Sequence, residues 1–268
     1  TQALAAGRNM GFMLYNTAYN DRITWKVGGF FNTGSFTDVG NPQDRLSDAN
    51  GYNITARITG RPWHTTDGRR LLHLGLSYSH RFRDADLDDP DKRVRFSTPP
   101  ESRLTDERLV DTGRFFSDGI DVINPELALV SGPFSLQSEY FHAFVDSEKT
   151  LQFFGGYLYA SYVLTGEHRR YNPLRSIFTG VRPENNFRPF QGKWGAWEVG
   201  ARLSYLDLND GPILGGKELN ITAGVNWYPF SNARVMFNYV RANLKDREEP
   251  TADDGSADIF MSRFHIFF

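Results

Sequence analysis

A period of two constrains this chain more than any other feature. Along Leu219-Asn220-Ile221-Thr222-Ala223-Gly224-Val225-Asn226-Trp227-Tyr228, the residues Leu219, Ile221, Ala223, Val225 and Trp227 alternate with Asn220, Thr222, Gly224 and Asn226. Successive side chains of a strand point to opposite faces, so the segment has one apolar and one polar face. The same reading sets Leu72, Leu74, Leu76 and Tyr78 against His73, Gly75, Ser77 and Ser79. It also sets Trp197, Val199, Ala201, Leu203 and Tyr205 against Glu198, Gly200, Arg202 and Ser204. The last segment opposes Phe260, Phe264, Ile266 and Phe268 to Met261, Arg263 and His265. Eleven segments carry the pattern, near 8–19, 22–32, 50–61, 70–82, 120–130, 134–145, 149–165, 194–208, 216–228, 233–244 and 257–268. No stretch of helical period competes with them.

Strands of roughly 9–14 residues exceed the ~5–6 usual in globular proteins and suit a tilted membrane crossing. A soluble sandwich also alternates, but its strands are shorter and its polar faces carry less Gly and Ser. The composition points the same way: 22 Phe, 12 Tyr and 5 Trp sit in a chain that is hydrophilic on average. An apolar outer face, aromatic segment ends and a polar inner face are the pattern of an all-β fold, a transmembrane antiparallel β-barrel. No apolar run approaches the ~18 residues of a membrane helix.

A final alternating strand ending on Phe268 matches the signal by which outer-membrane barrels are recognised for insertion. With that end in the periplasm, 229–232, 131–133, 62–69 and 20–21 become periplasmic turns. The external loops are then 33–49, 83–119, 146–148, 209–215 and 245–256. Two connections fit less well: 146–148 is short for an external loop and 166–193 is long for a periplasmic turn. A miscounted strand would explain both, and so would a periplasmic segment folded up into the lumen. Eleven strands place Thr1 outside the cell, and an open sheet would leave two unsatisfied edges in lipid. The expectation is that residues 1–268 are the C-terminal part of a single barrel domain. Its missing N-terminal strands would come from the same or another chain.

With the apolar set outward, the inward faces carry Arg22, Lys26, Arg57, Arg61, Arg81, Arg202, Arg234 and Arg263 against Glu126, Glu139 and Glu198. The net charge of -2 thus hides a segregation, with acids crowded into the loops. Rows of like charge in a narrow wet channel concentrate counter-ions, and Arg and Lys linings mark anion pores. Pairing with lumenal acids is the plainer alternative, but three acids leave most of these cations unpaired. The long connection 83–119 is expected to constrict the pore, since connections of that length are commonly functional. In it Arg93 and Arg95, at i and i+2, face one side of an extended segment. Guanidinium groups so placed present fixed donors to an oxyanion that Lys cannot copy; a solvated surface loop is the alternative.

Other chemistry is disfavoured. The near-neutral charge gives no reason to expect nucleic acid as a partner. The absence of cysteine removes disulfides, thiolate metal sites and a cysteine nucleophile together. Ser79 and His80 point to opposite faces, as do Ser262 and His265, so no hydrolytic pair forms. The six His have no repeated zinc spacing. Asp84, Asp86, Asp88, Asp89 and Asp91 have ligands for calcium but lack the glycine and terminal Glu of a known loop. A solvated acidic loop is the better reading, and no cofactor is expected.

Four runs carry a resemblance. They are Leu164-Thr165-Gly166-Glu167 with Arg169 and Tyr171; Gly195-Ala196-Trp197-Glu198 with Arg202 and Asp207-Leu208; Gly132-Pro133-Phe134-Ser135-Leu136-Gln137-Ser138-Glu139-Tyr140; and Arg93-Val94-Arg95-Phe96 with Pro99, Pro100, Arg103 and Thr105-Asp106. From about residue 50 onward the chain resembles the phosphate-selective porin O and P family of the bacterial outer membrane. The resemblance implies a sixteen-stranded barrel, of which these would be the last eleven strands, set in outer-membrane lipid as a homotrimer. It implies a water-filled channel for phosphate, polyphosphate or other small anions, with Arg93, Arg95 and Arg103 as the central ligands. Ser97 and Glu101 depart from the arginine-rich form of that loop. The second function class is a plugged structural, receptor or adhesin barrel that conducts nothing.

Overall fold

The computed structural model describes residues 3–5, 7, 9–31, 51–82, 93–101, 108–247 and 254–267. In chain order the strands are β1 (Met10–Ala18), β2 (Ile23–Phe31), β3 (Tyr52–His64), β4 (Arg70–Phe82), β5 (Ser97–Thr98), β6 (Val110–Asp111), β7 (Gly119–Ser131) and β8 (Phe134–Asp146). They continue as β9 (Leu151–Val163), β10 (Arg169–Asn172), β11 (Ile177–Val181), β12 (Ala196–Asp210), β13 (Ile213–Phe230), β14 (Ala233–Arg247) and β15 (Gly255–Ile266). Eleven of them, the long ones, form a single antiparallel sheet in the order β1-β2-β3-β4-β7-β8-β9-β12-β13-β14-β15. Each expected segment is one of these strands. Among the described residues β1 and β15 do not pair with each other, so the sheet is open and the chain by itself is not a closed barrel.

Register keeps the two faces separate across the sheet. Between β12 and β13, Trp197 lies opposite Trp227, Val199 opposite Val225 and Leu203 opposite Ile221 on the outward face. Glu198 lies opposite Asn226 and Arg202 opposite Thr222 on the inward face. Among the described residues many outward apolar side chains are left uncovered: Phe12, Leu14, Ile58, Ile221, Phe237, Phe260 and Phe264 are all more exposed than buried. A contiguous apolar face of that extent does not survive in water and suits hydrocarbon.

The connection expected at 209–215 is shorter than the alternation suggested. The strands run on to Asp210 and Ile213, leaving Gly211-Pro212 as the turn. A bulge between Asp207 and Asn209 shifts the side-chain period, which is why the pattern stopped early. Gly211 and Gly132, each followed by Pro, hold φ of +54° and +57°. A glycine at the first central position suits such two-residue hairpin turns.

The core does not lie between two sheets. It lies between the inward face and segments inserted against it. From the end bearing the connection 83–118, Val94, Phe96 and Val110 pack on Ile120 and Val122 of β7, Val145 of β8, Phe153 of β9, Leu206 and Leu208 of β12 and Leu244 of β14. Leu4, ahead of β1, joins the same cluster. Gly215 of β13 gives this insert room, since a Cβ there would lie 3.0 Å from Thr112 Cγ2. At the other end, the connection between β9 and β12 sends the hairpin β10–β11 onto the inward face of β2–β4. Thr24 Oγ1 donates to Pro173 O at 3.2 Å and Lys26 Nζ to Arg175 O at 2.8 Å. Of the two explanations for the long 166–193, the inserted segment is therefore the one observed, and the strand count stands.

Candidate functional site

The insert between β4 and β7 alternates as a strand does. Val94 and Phe96 are buried, while Arg93 and Arg95 are exposed on the opposite side. An isolated bridge between Val94 and Phe115 and the short β5–β6 ladder fold it into a clip. Arg95 grips Asp111 with two parallel bonds, Nε donating to Oδ1 at 2.8 Å and Nη2 to Oδ2. Burial pushes the Asp111 carboxyl up, but Arg95 and the Gly113 backbone N–H outweigh it and hold it below the ordinary 3.8. Arg93 has no hydrogen bond or ion pair among the described residues. Arg103 and the five-aspartate cluster lie outside the described residues.

The tip of the clip docks through Glu101, a residue the sequence reading noted only as a departure. It sits at φ +48°, a left-handed conformation costing about 1–2 kcal/mol for a residue with a Cβ. Three contacts offset that cost. Ser204 Oγ donates to Oε1 at 2.6 Å, Thr222 Oγ1 donates to Oε2 at 3.1 Å, and Arg202 Nη1 lies 3.2 Å from Oε1. Arg202 also lies 4.4 Å over the Tyr157 ring. Behind the tip is a polar cavity of about 450 Å³, lined by Glu101, Arg202, Glu218, Asn220, Thr222, Asn226 and Asn238 among others.

Replacing Glu101 by glutamine is expected to raise the anion-over-cation permeability ratio about two- to fivefold. That is the effect of one uncompensated charge worth ~0.5–1 kcal/mol in a focusing lumen. Reversal potentials in a salt gradient read it directly. An unchanged ratio would mean that Arg202 does not face the ion path.

All seven expected lining cations, Lys26, Arg57, Arg61, Arg81, Arg202, Arg234 and Arg263, are on inward-facing positions or continue them. Arg22 lies instead in the turn between β1 and β2, exposed. Among the described residues acids pair with Arg57 and Arg202, and several of the other cations are hydrogen-bonded without being neutralised. Arg57 makes a bidentate pair with Glu126 at 2.7 and 2.6 Å, and Glu126 also lies 3.4 Å from His73 Nε2. Gly75 leaves space for that carboxylate, since a Cβ there would sit 3.1 Å from it. Lys26 donates to Arg175 O, Arg61 Nε to Asp21 O at 3.1 Å and Arg81 Nη2 to Leu4 O at 2.9 Å. Arg234 lies 6.0 Å over the Tyr228 ring. Arg263 is exposed and in register with Met236. Counting acids on strands missed these partners because inserted segments supply them, as the Glu101 carboxylate and as backbone carbonyls.

Three further acids of the inward face are held by hydrogen bonds. Glu139 accepts from Tyr157 OH. Glu198 is fully buried and accepts from Ser161 Oγ at 2.7 Å, Asn226 Nδ2 at 2.9 Å and Tyr228 OH at 2.7 Å. Glu218, buried beside Asn220, was not counted, although its parity with Asn220 and Thr222 marks it as inward.

The run Leu164-Thr165-Gly166-Glu167 builds a turn. Gly166 holds φ +98°, Glu167 accepts from Thr165 Oγ1 and from Glu184 N at 3.0 Å, and Trp197 N donates to Thr165 Oγ1 at 3.2 Å. The hairpin that follows is latched by a 2.8 Å contact between Tyr171 OH and His73 Nδ1. A second latch joins Thr59 Oγ1 to Ser176 Oγ at 2.9 Å. One inward wall thus carries cations, an insert from each end and a polar cavity. That arrangement presents a polar, cation-bearing surface to small ions.

The comparisons agree with this geometry. The sequence profile described as phosphate-selective porin O and P matches residues 2–268. Porin O of Pseudomonas aeruginosa is 28% identical over 238 residues, covering 77% of this chain and 51% of that protein. An uncharacterized protein of Caulobacter vibrioides is 31% identical over 193 residues, covering 71% of this chain and 37% of that protein. The chain spans about half, or less, of the length of these curated relatives. The family's members are channels rather than enzymes. The chain belongs to the phosphate-selective porin O and P family, and its place is the bacterial outer membrane.

Proposed function

We propose that this sheet is part of the wall of a water-filled, anion-preferring diffusion channel for phosphate, polyphosphate or other small anions. Further strands, from the same or another chain, complete the barrel, because open sheet edges are not tolerated in lipid. The assembled porin is a homotrimer in this reading. The insert at 83–119 is its constriction, and Arg93, Arg95 and Arg103 are its central ligands. The observation that carries the reading is the alternation Arg93-Val94-Arg95-Phe96. Its apolar side is pinned in the core on the inward wall and its guanidinium side is exposed, with Arg95 held by Asp111 and Arg93 without an ion pair among the described residues. Lys26, Arg57, Arg61, Arg81, Arg202, Arg234 and Arg263 extend a cationic surface on both sides of it.

The test is phosphate block of chloride current through the reconstituted full-length porin. Arg93→Ala with Arg95→Ala is expected to weaken the block about tenfold or more, the worth of charge-assisted hydrogen bonds at ~1.5–3 kcal/mol each. Arg93→Ala alone should account for most of that, since Arg95 is already engaged by Asp111. An unchanged block would mean that the loop does not hold the site. A bilayer without any ion conductance would leave the plugged structural or receptor barrel.

A further inference from the structure

The connection between β9 and β12 begins inside the sheet and ends outside it. Its hairpin β10–β11 lies on the inward wall, yet the stretch that follows rests on the outward face. Phe187 N donates to Pro229 O at 2.8 Å, and the Phe187 ring meets Trp227 edge-on at 5.0 Å. Trp227 Nε1 donates to Trp194 O at 2.7 Å and its ring stacks on Trp197 at 5.7 Å. Both tryptophans belong to the outward register.

Beyond Phe187 the backbones of Arg188 and Lys193 bridge each other and enclose one 3₁₀ turn at Pro189–Gln191. That small loop leaves Phe190 fully exposed at 104% and Trp194 exposed at 58%. Arg188 precedes them and Lys193 lies between them, both exposed, and no acidic residue occurs from 185 to 195. In water this tip would forfeit the burial of two large aromatic rings.

We propose that the tip is an interfacial anchor. Phe190 and Trp194 enter the headgroup–acyl boundary of the periplasmic leaflet, while Arg188 and Lys193 hold the phosphates of anionic phospholipid. Two observations favour lipid over a protein partner. The tip continues an outward aromatic girdle, where rings suit the membrane boundary. Its cations alternate with its aromatic rings, Arg188, Phe190, Lys193 and Trp194 in turn, a mixture suited to an anionic interface. Such an anchor ties the lumenal hairpin to the bilayer through the same connection, so the hairpin is held from both sides of the wall. The inference rests on the outward face of the sheet meeting lipid.

These 268 residues contain no cysteine, so in the reconstituted full-length porin, with any cysteine outside them changed to serine, a nitroxide attached to Phe190→Cys reports this tip. The vesicles contain phosphatidylcholine with or without phosphatidylglycerol. Collision rates with oxygen and with a water-soluble nickel chelate give the depth of the label, and Leu203→Cys on the outward face serves as the lipid control. The expected result is a Phe190 label about 5–10 Å below the headgroup surface. Changing Arg188→Gln and Lys193→Gln should lower the preference for spin-labelled phosphatidylglycerol over phosphatidylcholine by about fivefold per charge, ~1 kcal/mol converted. A water-exposed Phe190 label with Leu203 in lipid overturns the anchor alone. Both labels in water overturn the lipid-facing reading beneath it as well. Dipolar broadening between Phe190 labels would assign the tip to a second copy of the chain and overturn the lipid proposal.

Discussion

Phe96→Ala is expected to raise single-channel conductance several-fold and to weaken anion preference at the same time. The Phe96 side chain is 3% exposed, with its ring centroid 5.4 Å from that of Phe153 and 6.3 Å from that of Phe115. Truncating a core phenylalanine to alanine costs about 3–5 kcal/mol. Other attachments of the clip include the packing of Val94 and Val110, the Glu101 contacts and the hydrogen bonds from Arg247 Nη1 to Arg108 O and Leu109 O at 2.9 and 3.0 Å. Each such bond contributes about 0.5–1.5 kcal/mol, or up to ~3 when charged, so losing Phe96 removes much of what holds the clip down. The long strands do not pair through Phe96, and the wall should persist. Phe96→Leu keeps most of the volume and should stay near the parent conductance. Planar-bilayer recording separates the outcomes, and an Ala variant with unaltered conductance would show that the clip does not narrow the path.

The strands were legible because each long one has two environments, and a period of two records them residue by residue. The same logic exposed the Arg93 and Arg95 side of the clip, because Val94 and Phe96 between them need burial. The short turn at Gly211-Pro212 was not legible, since the bulge at this end of β12–β13 breaks the alternation without leaving a composition signal. The hairpin β10–β11 was hidden for a different reason. It docks on a polar wall through the carbonyl oxygens of Pro173, Arg175 and Ser176, and every residue type carries a carbonyl. Lys26 and Arg57 could be placed on the inward face from sequence, but what each one grips could not. Glu101 combines both problems: its partners Arg202, Ser204 and Thr222 are more than one hundred residues away, and no local pattern predicts its left-handed backbone.

Glu126→Gln should destabilise the porin by about 3 kcal/mol while making it more anion-preferring. Arg57 and Glu126 form a well-enclosed ion pair of the inward wall between two strand residues, with side chains 22% and 12% exposed. Removing one partner of such a pair leaves an uncompensated charge, which typically costs ~3–5 kcal/mol. The lower end of that range applies here because the lumen is wet. The register sharpens the effect, since Lys26 lies directly opposite Arg57 and the carboxylate is what makes two neighbouring cations tolerable. Arg57 Nη2 also donates to Ser176 O at 3.2 Å, so the lumenal hairpin should loosen with it. Denaturant unfolding of the reconstituted porin measures the first effect, and reversal potential in a salt gradient measures the second. Adding Arg57→Gln to Glu126→Gln should recover much of the stability and cancel the gain in anion preference, because the two changes share one interaction. If Glu126→Gln alone were neutral in both assays, the pair would be screened by lumenal electrolyte like a surface pair. Arg57 would then already act as a free cation, and the anion path would depend on charge at the wall more than on the clip.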